Sequence, residues 1–470
     1  MNANEIIENH PFEEIRVGDS ASMTRALTLD NIALFAAISG DDNPTHLGAA
    51  YAGRMAPGVV SAHSMWGGAL ISAVLGTKLP GPGTVYVAQT LRFHRTISAG
   101  DTLTIRLTVT DKRPESTTVV LNCRCTDQND IEVISGTAEV IAPSQKFRGR
   151  LSDLPEVSLR RHEQYAKLIA RCQALSPVAT AVAHPCDESA LAGVIDAAEA
   201  RIILPLLVGP VAKIRAVADR MKVDLGRYEL IDVPHSHAAA EKAVELVRLG
   251  RAELLMKGSL HTDELMSAVV NKETGLRTHR RISHCFIMDV PGHPDPLVIT
   301  DAAVNIYPTL EDKVHIVQNA IDLMRALGRP QPRVAILSAV ETVNPKILST
   351  LDAAALCKMA DRGQITGGLL DGPLALDNAV SIAAAKIKGI VSPVAGQADI
   401  LLVPDLEAGN MLAKNLTFLA GADAAGIVLG ARVPIVLTSR ADSARARMAS
   451  CAVASLYAHA QPASVPLAAE

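Results

Sequence analysis

Aromatic residues are scarce: Phe, Tyr and Trp make up 3% of the 470 residues, with one Trp among them. A core must therefore be filled by Ala, Val, Leu and Ile, which dominate the 49% hydrophobic share. That is the composition of a helix-rich α/β protein long enough to bury sizeable cores. There is no long block of Lys or Arg, and the formal net charge is -4, which excludes a footprint for nucleic acid or for an anionic membrane. Apolar runs are short: the window 202–208 is far below bilayer length. The first eleven residues have neither a basic n-region nor an apolar h-region, so a cytoplasmic location is expected. Cysteine is sparse too. Seven are scattered at 123, 125, 172, 186, 285, 357 and 451, an odd set that argues for reduced thiols. Cys123 and Cys125 are two apart, but no further ligands follow at metal-site spacing, so no metal site is expected.

What is present falls into two halves. The length suggests about two to four domains. A first domain is read at 1–142, a linker and helix at 143–176, and a second domain at 177–470. The linker begins with Pro143-Ser-Gln-Lys-Phe-Arg-Gly-Arg150, which is basic and aperiodic. A charged helical stretch at about 159–174 follows, carrying the basic cluster Arg160-Arg161-His162.

In the first half, Thr28 is an N-cap candidate for a helix with apolar residues at helical spacing up to Ile38. The chain then reads Gly40-Asp-Asp-Asn-Pro-Thr-His46. The pre-proline residue is pushed out of the α region, so a looped backbone can aim Asp41 and His46 at one point, with Asp42 and Asn43 as turn residues. From Ser61 to Leu75 almost everything is apolar or small, which predicts a helix buried on all sides. Leu103, Ile105, Leu107 and Val109 then alternate with Thr and Arg, as do Val119, Leu121, Cys123 and Cys125 after them. Such alternation predicts half-buried antiparallel strands wrapped about a central helix, an α+β hot-dog domain.

Residues 12–140 resemble the MaoC-like, (R)-specific enoyl-CoA hydratases in the Gly40–His46 motif, Pro57-Gly58 before an apolar helix, Gly81-Pro-Gly83, Leu91-Arg-Phe93 and Gly100-Asp101. The resemblance implies that Asp41 and His46 are the catalytic pair. A backbone N–H around Gly58, at the start of the buried helix, is placed to receive the thioester oxygen. His63 is either a ligand of the active-site water or a satisfied buried histidine.

In the second half, three strand-then-helix units open the domain: 179–183 before 188–198, 202–208 before 211–221, and 230–233 before 238–249. This predicts a parallel sheet with crossover helices. Residues 285–288 and 297–300, joined through Pro291-Gly-His-Pro294, predict an antiparallel ribbon that divides the domain into two lobes. Further strands are read at 334–337, 367–369, 400–403 and 435–437. The strand at 400–403 runs into Pro404-Asp-Leu-Glu-Ala-Gly-Asn410 and a helix. Ligands bind at the carboxyl ends of such strands, which makes Asp405 and Asn410 candidates.

Residues 177–458 resemble the phosphate acetyltransferase and phosphate butyryltransferase family. The matching pieces are Met256-Lys-Gly-Ser-Leu-His-Thr-Asp263, Phe286-Ile-Met-Asp289, Ile299-Thr-Asp-Ala-Ala-Val-Asn305, Leu370-Asp-Gly-Pro-Leu-Ala375, Ser392-Pro-Val-Ala-Gly-Gln-Ala-Asp399, the segment 401–416 and Thr438-Ser-Arg-Ala-Asp442. The resemblance implies reversible acyl transfer between coenzyme A and orthophosphate. Ser439 would bond the CoA sulfur, and Arg440 would hold phosphate or the carbonyl oxygen. Ser259 and Thr262 are implied phosphate donors, and Asp301 and Asn305 shape the pocket, although Asp301 can equally cap the following turn. Acetyl-specific members carry a catalytic Asp seven residues beyond the Ser. Here that position is Ala446, Asp442 is the nearest substitute, and Ser-Arg-Ala-Asp looks closer to the butyryl branch. The second phosphate Arg expected near Met266 is missing, and Arg277, Arg280 and Arg281 can supply the cation, because guanidinium presents a planar fork to phosphate.

The expectation is a bifunctional acyl-CoA enzyme, with acyl-CoA, enoyl-CoA and orthophosphate as substrates and no permanently bound cofactor. A homo-oligomer, at least a dimer, is expected. The alternative is an acyltransferase whose hot-dog half only binds acyl-CoA or assembles the protein.

Overall fold

In the computed structural model the chain forms two compact units, residues 1–159 and 160–470. The structure describes residues 6–47, 60–150, 157, 163–437 and 443–461. Among these, no helix is long and apolar enough to cross a membrane.

The first unit contains β1 (Ile6–Glu8), β2 (Ser20–Ala26), α1 (Leu29–Ser39), α2 (Pro44–Leu47), α3 (Met65–Thr77), β3 (Val85–Phe93), β4 (Thr102–Arg113), β5 (Thr118–Thr126), β6 (Glu132–Ile141) and β7 (Arg148–Arg150). Five of the strands form one antiparallel sheet in the order β2-β4-β5-β6-β3, and α3 packs against one face of it. This is the hot-dog arrangement. The alternation in β4 and β5 sends Leu103, Ile105, Leu107, Leu121, Cys123 and Cys125 into one core with Ile71, Val74 and Leu75 of α3. Burial pushes the Cys125 thiol up to about 12, so it packs as a small hydrophobe. Thr28 caps α1 by accepting from Asn31 N, within a full capping box.

Two expectations are corrected here. The central helix starts at Met65, because the residues before it are held extended: Ser61 bridges Ser98 and Ala62 N donates to Ile97 O at 2.8 Å. Nor is it buried all round, since Met65, Ala69, Ser72 and Gly76 form an exposed stripe at helical spacing. Gly67 has a packing reason, because a Cβ there would stand 2.2 Å from Ile134 Cδ1.

The linker also differs from expectation. Residues 143–150 belong to the first unit: β7 pairs antiparallel with β1, and the Asn9 amide spans Gln145 O at 2.9 Å and Phe147 N at 2.7 Å. The charged helix α4 (Glu163–Gln173) belongs to the second, burying Tyr165, Leu168 and Cys172 in its main core. Tyr165 Oη donates to Asp423 O at 3.0 Å and also to Ile287 O. The cluster Arg160–His162 lies outside the described residues.

The second unit continues with β8 (Val178–Ala183), α5 (Glu188–Glu199), β9 (Ile203–Gly209), α6 (Val211–Met221), β10 (Glu229–Asp232), α7 (Ser236–Arg248), β11 (Leu254–Lys257), α8 (Thr262–Val270), β12 (Ser283–Asp289), β13 (Leu297–Thr300), α9 (Leu310–Ala326), β14 (Arg333–Leu337), α10 (Leu348–Asp361), β15 (Leu369–Leu374), α11 (Leu376–Val380), α12 (Ile382–Ile387), β16 (Ile400–Leu402), α13 (Leu406–Phe418), β17 (Asp423–Leu429), β18 (Ile435–Val436) and α14 (Ala444–Ala460). All eleven strands join one sheet in the order β10-β9-β8-β11-β18-β17-β12-β13-β16-β14-β15. Each flank is parallel. The middle, β18-β17-β12-β13, is antiparallel. The predicted ribbon is present with Cys285 opposite Thr300 and Met288 opposite Leu297. The two lobes are the two parallel arms of one continuous sheet. Strands β11 and β17 were not anticipated, because each is a short apolar run that could equally open a helix.

Candidate functional sites

In the first unit the loop after α1 brings Asp41, His46 and His63 together, with one polar atom from each lying within 4.8 Å of the others. Asn43 builds the loop by accepting from Thr45 N at 3.1 Å and from Thr45 Oγ1 at 3.0 Å, as a turn residue should. His46 Nδ1 donates to Ser61 O at 2.7 Å. A carbonyl can only accept, so the proton sits on Nδ1 and Nε2 carries the free lone pair. By the same logic His63 Nε2 donates to Asp41 O at 3.0 Å, and it stands 3.7 Å from the Asp41 carboxylate.

His63 is 3% exposed, packed on Phe35 at 5.2 Å and on His46 at 3.9 Å between ring centroids. Its Nε2 ties down the loop that carries Asp41, but its Nδ1 is buried with no hydrogen-bond partner among the described residues, so it is not the fully satisfied histidine of the second expectation. Gly58 lies outside the described residues, and the helix start it was expected to mark is at Ser64 and Met65. Trp66 N and Gly67 N already donate to His63 O and Ser64 O. Among the described residues, the preceding amides of Ser64 and Met65 have no backbone acceptor, as is usual for the first amides of a helix.

In the second unit a cleft of about 710 Å³ is lined by Lys257, His261, Thr262, His284, Phe286, Asn410, Lys414, Asp423, Leu437, Ser443 and Ala446, with an apolar wall that includes Ala413, Phe418 and Ala424. Helices α8 and α14 begin at it with Thr262 and Ser443. Helix N-termini favour anions. Lys257, at the end of β11, and Lys414, on α13, add positive charge. Ser439, Arg440 and Asp442 lie outside the described residues, but Leu437 and Ser443 on either side of that segment both line the cleft. So does Ala446, at the position where a catalytic Asp was sought.

The segment 404–410 earns its residues structurally as well as by position. Asp405 is the N-cap of α13, accepting from Ala408 N at 2.9 Å. Gly409 lets this helix approach the β13 exit, since a Cβ would stand 2.9 Å from Ala302 Cβ and 2.7 Å from Val403 Cγ2. Asn410 Nδ2 then donates to Ala302 O at 3.2 Å. Asp301 caps the turn after β13 through Ala303 N, Val304 N and Asn305 N, and Asn305 Nδ2 donates to it at 2.5 Å. Ser259 Oγ donates to His184 O at 2.8 Å and accepts from Cys186 N at 3.2 Å, which ties its hydroxyl into a loop clamp.

The arginines are the main departure. Arg277, Arg280 and Arg281 line a second cavity of about 570 Å³ with Asn305, Asp312 and His315, not the cleft that holds Thr262. Arg280 pairs with Asp322 at 3.4 Å. Arg281 pairs with Asp312 at 3.5 Å and donates to Asn305 Oδ1 at 2.8 Å. Helix α8 lies between the two cavities: its first residue, Thr262, lines the cleft, whereas Met266 and Val270 line the second cavity.

Lys257 and His284 were missed as candidates. The period-two pattern of β12 could have found His284, because it puts His284 on the same face as Phe286. Burial lowers the His284 pKa to about 4 against the opposing pull of the Asp301 charge.

Comparison with known proteins agrees with this division. Residues 235–455 match the phosphate acetyl/butaryl transferase family model, and residues 15–127 match the MaoC like domain model. A phosphate acetyltransferase of Rhizobium meliloti is 71% identical over 295 residues, covering 63% of this chain and 93% of that protein. The crystal structure of a branched-chain phosphotransacylase from Enterococcus faecalis V583 is 30% identical, covers 60% of this chain and 99% of its own, and superposes with a TM-score of 0.54. An R-hydratase, PhaJ1, from Pseudomonas aeruginosa is 42% identical over 33% of this chain and 99% of its own, with a TM-score of 0.32.

Proposed function

Because the chain belongs to the phosphate acetyl/butyryltransferase family and carries a MaoC-like domain ahead of that part, we propose that it is a bifunctional acyl-CoA enzyme. One half transfers an acyl group reversibly between coenzyme A and orthophosphate. The other hydrates trans-2-enoyl-CoA to (R)-3-hydroxyacyl-CoA. CoA thioesters and phosphate are substrates, and neither step calls for a resident cofactor.

The observation that carries the first activity is the cleft, whose lining combines two helix N-termini, Lys257 and Lys414 with apolar side chains. The cationic groups suit phosphate, and the apolar lining suits the thioester arm. Phosphate attacks the thioester carbonyl, the tetrahedral oxyanion collapses, and the CoA thiolate leaves. Positioning and charge stabilisation suffice for this chemistry. Ser439 is assigned to the CoA sulfur, Arg440 to phosphate or the carbonyl oxygen, and Asp442 to proton transfer. The 71% identity to a phosphate acetyltransferase favours acetyl over butyryl as the acyl group.

For hydration, Asp41 holds the water that attacks C3, His46 Nε2 takes that water's proton, and the imidazolium so formed delivers the proton to C2. The Ser64 and Met65 amides receive the charge on the thioester oxygen. A homo-oligomer is part of the proposal, because edge strand β3 leaves Val85, Tyr86, Val87 and Phe93 exposed, and such an edge invites pairing with a second copy.

Hydroxylamine trapping of the product made from acetyl-CoA or butyryl-CoA with phosphate tests the transfer reading. Acetohydroxamate in excess is expected. Absence of any hydroxamate would refute it.

A further inference from the structure

We propose that His284 is a further catalytic residue of acyl transfer: an uncharged imidazole whose Nε2–H binds the acyl oxygen as it becomes an oxyanion. The inference rests on the acyltransferase reading above.

His284 projects from β12 into the cleft beside Phe286, whose ring meets it edge-on at 4.3 Å between centroids. The side chain is 2% exposed. Its Nδ1 is fully enclosed and has no hydrogen-bond partner among the described residues, so Nε2 is the nitrogen that can serve a ligand. On the neighbouring strand β17, Gly426 leaves room at that atom. A Cβ on Gly426 would stand 3.0 Å from His284 Nε2 and 3.1 Å from Leu437 O. Nε2 and the Leu437 carbonyl, one residue past β18, therefore flank the same point on β17.

The charge state follows from the surroundings. Asp301 acts on the ring electrostatically, and Lys257, His261, Lys414 and Asp423 line the same cleft. Burial outweighs the pull of Asp301, so the ring is neutral at neutral pH. A neutral imidazole offers a fixed hydrogen-bond donor without a competing positive charge, a device known for polarising carbonyl groups.

In the step itself, a phosphate oxygen lone pair forms the new C–O bond and the carbonyl π pair moves onto oxygen. That oxyanion accepts from His284 Nε2–H. Collapse restores C=O and breaks C–S, and the electron pair leaves on the CoA sulfur. The ring proton is never transferred, so His284 replaces no base. Its contribution is to the oxyanion in a cleft where Ala446 provides no carboxylate.

The test compares His284→Gln, His284→Asn and His284→Ala with the wild type in acetyl phosphate formation. Gln can carry an amide N–H to the Nε2 position, whereas Asn stops near Nδ1. H284N and H284A are expected to lose about 10²-fold in kcat with KM for acetyl-CoA little changed, and H284Q to recover part of the loss. The wild-type kcat profile should show no limb near pH 6.5 that H284Q lacks. H284A matching the wild type, H284N exceeding H284Q, or such a limb vanishing in H284Q would overturn the proposal. The Gln–Asn comparison guards against a folding defect, since the two amides burden the site alike. An active wild type with an active H284A defeats this inference alone. A wild type that makes no acyl phosphate defeats the acyltransferase reading with it.

Discussion

The imidazole rings of His46 and His63 stack with centroids 3.9 Å apart and planes tilted by 36°, so neither can turn without displacing the other. His63 in turn anchors the Asp41 backbone. His46→Ala should lower enoyl-CoA hydration by at least about 10²-fold and leave acyl transfer intact. His63→Phe keeps a ring under His46 but loses the bond to Asp41, and should cost less. Loss of the conjugated-thioester absorbance of crotonyl-CoA reads both variants. Equal hydration by H46A and wild type would remove His46 from catalysis, and no hydration by the wild type would leave the smaller unit as a binding module.

His284 gives the larger unit a built-in acid sensitivity. Its folded pKa of about 4 lies below the ordinary 6.5. Between these values the unfolded chain binds more protons than the folded one, so stability falls as pH drops from 6.5 through about 4. H284Q should flatten this part of a plot of melting temperature against pH. An unchanged slope would contradict the burial argument.

Lys313 and Asp352 form an ion pair at 2.7 Å with side chains only 6% and 13% exposed, joining α9 to α10. Removing one partner of such a pair strands the other charge, and Lys313→Ala should destabilise by about 3–5 kcal/mol. Equilibrium urea unfolding measures it, and the double change K313M/D352L should recover most of the loss.

The exposed apolar residues of β3 should matter for assembly. Val87 is 54% exposed on that edge strand. Sedimentation velocity should find the wild type at least dimeric, and Val87→Glu should shift it toward monomer. A monomeric wild type at micromolar concentration would remove the oligomer from the account.

The sequence announced most of the frame. Alternation in residues 103–109 and 119–125 placed every inward side chain of β4 and β5, because a strand with one wet face must alternate. Thr28 and the Cys285–Met288 ribbon were equally legible, being set by local capping and by a turn. What escaped depended on long-range packing. The start of α3 was hidden because Ser61 and Ala62 are apolar or small enough for a helix, yet pair instead with the 97–98 segment. Helix α4 read as part of a linker because its exposed face is charged. Its buried face meets strands more than a hundred residues away, where Tyr165 bonds Ile287 and Asp423. The arginines at 277–281 were grouped with Thr262 by distance along the chain, and they line a different cavity from it.

The most direct test of the central claim, that the larger unit's cleft transfers acyl groups to phosphate, is CoA thiol release from acetyl-CoA by the purified chain, with and without orthophosphate. Release that requires phosphate and falls sharply in Arg440→Ala is the predicted result. Release indifferent to phosphate, or none at all from a folded chain, would contradict it.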